Sequence, residues 1–127
     1  MSDSPSDPIF PPLLHACAQG DLERAKTVAF ALVSAYDHEI ADAEVRRYAE
    51  LIGGDAAAFR ALATAMKADL EHASDWVRAE LARSRENADE VIRAARVAMI
   101  SDDRLRPREE VALNLVAVAV GLDPDAV

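Results

Sequence analysis

The chain has 127 residues, 51% of them hydrophobic but only 5% aromatic, and a net charge of −9 at pH 7. This length suits one domain with a real core. The acidic balance excludes the basic face that nucleic acid selects; it favours a cation or a basic protein surface instead.

The 27 alanines imply thin seams between close-packed helices. The larger anchors are then Phe30, Phe59, Trp76, Tyr36 and Tyr48. The one cysteine, Cys17, leaves no intramolecular disulfide and no cysteine zinc site. The opening MSDSPSDPIFPP lacks the basic and apolar regions of a signal peptide. The apolar run at 111–122 is far short of the roughly 20 residues that span a bilayer. The expectation is a cytoplasmic chain with no direct membrane insertion.

In chain order, residues 1–12 read as a disordered tail rich in Ser, Asp and Pro. A short helix is expected over 13–19, stopped by Gly20, with Asp21 capping the next. That second helix, over 22–36, places Leu22, Ala25, Ala29, Leu32, Val33 and Tyr36 on one face. An acidic turn follows, then a helix over 42–52 burying Val45, Tyr48, Ala49 and Ile52. Ile40 and Val45 have hydrophobic-staple spacing if Ala41 is the N-cap. Gly53-Gly54-Asp55 stops one helix and caps another.

The next helix carries Phe59, Leu62, Ala63, Met66 and Leu70 in one stripe. It either runs on through 73–83 or breaks near 72–74. Asn87 with Glu90 is a capping-box candidate for a helix bearing Ala88, Val91, Ile92, Ala95 and Met99. After a second acidic turn, Pro107 stands at a good first helical position. The last helix, over 109–120, is apolar almost all round, which predicts a buried central helix. Gly121 ends it. The fold class is therefore all-α: one bundle of six or seven helices spanning 13–127.

A pattern recurs at an offset of 65 residues: LVSAYDHEIADAE at 32–44 and VAMISDDRLRPRE at 97–109. Asp37 falls on Asp102, Ile40 on Leu105 and Glu44 on Glu109, so an internal repeat of an acidic helix-turn-helix unit is expected. One reading of the acids is local. With Ala41 and Arg106 as N-caps, Glu44 and Glu109 occupy the third helical position, where a carboxylate meets the positive helix end. The other reading is a site. Asp37 and Glu44, with Asp102 and Glu109, and with Glu39, Asp42 and Asp103 nearby, form hard-oxygen corners. Such corners suit Ca²⁺, Mg²⁺ or Mn²⁺ better than Zn²⁺. Arg104, Arg106 and Arg108 crowd the second corner, so the first is the better ion candidate.

This double pattern of apolar helix, Asp, aliphatic and helix-opening Glu, together with the ending VGLDPDAV, resembles the TerB-like domain of bacterial tellurite-resistance proteins. The resemblance covers roughly residues 25–127. It implies an all-helical, cytoplasmic, stress-associated domain that binds metal through acidic residues and works with protein partners, some in membrane-associated complexes. The metal residues it implies are Asp37 and Glu44 in one copy, Asp102 and Glu109 in the other. The chain departs from the family at His38 and Asp103, where glycine is common, and at Ala41 and Arg106, where a Ser-type cap is common.

Other constellations are weaker. His38 reads as a solvated turn histidine. Asp69, His72 and Asp75 are half of a di-metal motif without its second half. His15 beside Cys17 has no orienting acid, Trp76 reads as a core anchor, and no phosphate loop or hydrolase motif is present. The expected function is non-enzymatic: a divalent cation or a protein partner held at the acidic corners. The alternative is a metal-free interaction module or a co-chaperone-like accessory domain.

Overall fold

The computed structural model describes residues 9–36, 40, 42–100 and 107–126, the side chains of 100, 107–109 and 126 excepted. The described chain is all-helical: α1 Phe10–Cys17, α2 Asp21–Ala35, α3 Asp42–Ile52, α4 Ala56–Ala68, α5 Leu70–Leu81, α6 Ala88–Ile100 and α7 Pro107–Ala119. A 3-10 turn, Ala82–Asn87, joins α5 to α6, and another closes the chain at Pro124–Ala126.

The central element is α2, which touches the other six helices and packs most extensively on α6. Its second half, TVAFALVSA, carries no charge, and every residue from Thr27 to Ala35 is buried. A helix apolar on all sides belongs in the middle of a bundle. The prediction of a buried central helix thus fits α2. It does not fit α7, where Ala112, Val116, Ala117, Ala119 and Val120 are buried but Val111 and Val118 stay 55% and 56% exposed. Pattern alone cannot rank two apolar helices by depth.

Aromatic packing ties α2, α3 and α4 together. Tyr48 stacks on Phe59 with centroids 4.1 Å apart, and Phe30 meets both edge-on at 5.8 and 5.5 Å. These offset and edge-to-face arrangements suit the ring quadrupoles.

The helix α1 begins at Phe10, so the tail boundary drawn at residue 12 falls inside it. Pro11 and Pro12 occupy its first turn, where the missing N–H costs nothing. Phe10 is buried against Trp76 and the edge of His72, at 5.1 and 5.3 Å. Trp76 is itself only partly buried at the core margin. At the next helix Gly20, not Asp21, is the N-cap, and Asp21 is the first helical residue. The stripe expected to continue through Leu70 breaks earlier. Asp69 leaves helical geometry and accepts a bond from the His72 N–H at 3.3 Å, capping α5.

The acidic unit recurs in the helix boundaries: α2 and α6 end at Ala35 and Ile100, and α3 and α7 begin at Asp42 and Pro107. Both pairs carry the 65-residue offset. The packing does not repeat with them. In the first unit α2 is the core and α3 is amphipathic; in the second α6 is amphipathic and α7 shows no distinct apolar face. Equal helix boundaries alone do not establish an internal repeat.

Candidate functional site

The first acidic corner lies between α2 and α3, and its described part is held by Arg60 of α4. One guanidinium nitrogen donates to the Ile40 carbonyl at 3.2 Å, and another pairs with the Asp42 carboxylate. Ile40 is partly buried against the core and Val45 is buried, while Ala41, the N-cap of the expected staple, lies outside the described residues. The two described acids of the corner part company. The Asp42 side chain is 87% exposed apart from its arginine, whereas Glu44, the third residue of α3, is 0% exposed. A carboxylate withdrawn from water is tolerated where its oxygens find hydrogen bonds. At the end of α2, Ser34 Oγ is buried with no hydrogen-bond partner among the described residues.

The expected ligands Asp37, Glu39, Asp102 and Asp103 lie outside the described residues, as does the side chain of Glu109. The pairing of Asp37 with Glu44 therefore has no geometry here. Among the described residues no group of three or more His, Cys, Asp or Glu side chains is placed to hold a metal ion.

Arg60 is accessible, so its pair with Asp42 is screened and modest. Arg60→Ala is expected to cost about 1 kcal/mol in urea unfolding, most of it from the bond to the Ile40 carbonyl. A double-mutant cycle with Asp42→Asn should assign less than about 0.5 kcal/mol to the ion pair. A coupling several times larger would mean that the pair is desolvated.

A second polar cluster is buried between α1, α2 and α3. Thr27 Oγ1 donates to the Glu23 carbonyl at 2.7 Å and lies 3.0 Å from the Tyr48 hydroxyl. Tyr48 also interacts electrostatically with the Cys17 thiol. The Asp55 N–H closes the cluster by donating to the Cys17 carbonyl at 3.1 Å. Burial pushes the Cys17 thiol up to about 11; the Asp55 carboxylate adds to the rise, and the interaction with Tyr48 opposes it. Burial likewise raises Tyr48 to about 12, with the Thr27 hydrogen bond opposing. A thiol this reluctant to ionise is the reverse of a nucleophilic cysteine. His15 is exposed while Cys17 is buried, so they form no pair.

Both raised groups are neutral when protonated, which sets the sign of the pH dependence. Below pH 9 they are neutral folded or unfolded, and their contribution is intact. Above it the unfolded chain ionises first, at 9.0 for Cys and 10.0 for Tyr, and binds fewer protons than the folded chain. Stability is then expected to fall by roughly 4–5 kcal/mol between pH 9 and 12, about half from each group. Urea midpoints across that range should fall less steeply in Cys17→Ala/Tyr48→Phe. An unchanged slope would place the alkaline loss elsewhere.

The remaining candidates are structural. Asp69 caps α5 and lies 3.8 Å from His72 Nδ1, and Asp75 pairs with Arg78 at 3.0 Å, so this triad does not converge. A cleft of about 320 Å³ beside the start of α2 is lined by Asp21, Arg24, Glu80, Arg83 and Glu86, with Ala25 and Val28 among its apolar lining. Its charges are mixed and select no ligand. Arg60 and the Thr27–Tyr48 bond were not read from the sequence. Each joins residues about 20 positions apart, and no periodic pattern marks such pairs. No protein-family model matches the chain, and no curated protein or solved structure does either.

Proposed function

We propose that this chain is a non-enzymatic helical interaction module that engages a basic surface on a protein partner through its acidic exterior. The observation that carries this reading is Arg60. A side chain of the chain itself neutralises Asp42 and fixes the loop before α3, so the described part of the corner needs no ion to order it. Buried Glu44 is withdrawn from any outward ligand shell, as a helix-start residue would be. Within this reading the TerB-like resemblance suggests stress-associated, cytoplasmic partners, including membrane-associated complexes and chaperones.

The second reading, a Ca²⁺, Mg²⁺ or Mn²⁺ site at Asp37 and Glu44 with Asp102 and Glu109 as its counterpart, draws support from one observation. The α2 end that leads into the first corner buries the Ser34 hydroxyl, which has no hydrogen-bond partner among the described residues. Calorimetric titration of metal-stripped protein with Ca²⁺, Mg²⁺, Mn²⁺ and Zn²⁺ separates the two. The module reading expects no saturable heat at millimolar cation. It also expects partners captured from lysate to dissociate as NaCl rises from 50 to 300 mM, as charge-steered contacts do. Saturable binding abolished by Asp37→Asn/Glu44→Gln would replace the module reading with the ion site. Chaperone enrichment in the capture would point to a co-chaperone-like role.

A further inference from the structure

We draw no further inference here: the strongest candidate, the outward apolar stripe of Val111, Leu115 and Val118 on α7, carries none because nothing in the structure shows what covers it.

Discussion

Gly54→Ala is expected to cost about 2–4 kcal/mol and to lower the melting temperature by roughly 10 °C. A β-carbon at this position would lie 2.1 Å from the Tyr48 hydroxyl, 2.8 Å from its ring carbon Cζ and 2.5 Å from the Cys17 carbonyl oxygen. None of these neighbours yields cheaply. Tyr48 is fully buried and stacked on Phe59, and the Cys17 carbonyl is backbone that already accepts the Asp55 N–H. Gly53, one residue earlier, is a control of a different kind. It sits at φ +80° with nothing within 4 Å of a β-carbon. Gly53→Ala should therefore cost only the left-handed strain of about 1 kcal/mol. Adding Tyr48→Phe to Gly54→Ala removes the hydroxyl clash but leaves Cζ and the carbonyl, so rescue should be partial. Equal costs for the two glycines in thermal and urea unfolding would overturn this account of the close approach.

The same dipeptide shows what was legible in the sequence. Gly53 as a helix stop and Asp55 as a cap follow from local chemistry: a left-handed position after the helix, then a carboxylate three residues before the N–H it accepts. The bounds of α3, the Gly121 stop and the apolar stripes of α4 and α6 follow by the same kind of argument, because each depends on residues within a few turns. The need for glycine at 54 does not. It is set by the Cys17 carbonyl, which arrives from α1, and by the inward packing of Tyr48 on the preceding helix. The start of α1 was missed for a related reason. Two prolines read as tail, yet prolines suit a first helical turn, and Phe10 earns its place only through Trp76 and His72.

At the acidic corner, composition showed that carboxylates gather, but not which of them point outward. Glu44 and Asp42 are two residues apart at the start of one helix, and a step of two turns a helix by roughly 200°. One is therefore buried and the other exposed. A cluster in sequence is split by helix geometry into an internal acid and a surface ion pair. The cation that neutralises the surface acid, Arg60, comes from the middle of the next helix.

Glu44→Ala is accordingly expected to be the most damaging change of an acid, at about 2–4 kcal/mol. It empties a fully buried position and removes a polar group from neighbours that packed around it. Glu44→Gln keeps the volume and should cost about 1 kcal/mol, while Glu50→Gln on the exposed side of α3 should stay within about 0.5 kcal/mol. Urea unfolding of the three variants checks this ranking. The same variants test the role of the residue. An ion held by Glu44 would stabilise wild type by about 2.7 kcal/mol at a hundred times its dissociation constant and leave Glu44→Gln unmoved. A carboxylate that only builds the start of α3 predicts the reverse: a stability cost in every Glu44 variant, and melting temperatures that do not respond to Ca²⁺, Mg²⁺ or Mn²⁺ in any of them. Cation-dependent melting of wild type alone would turn the buried acid from a packing element into a ligand.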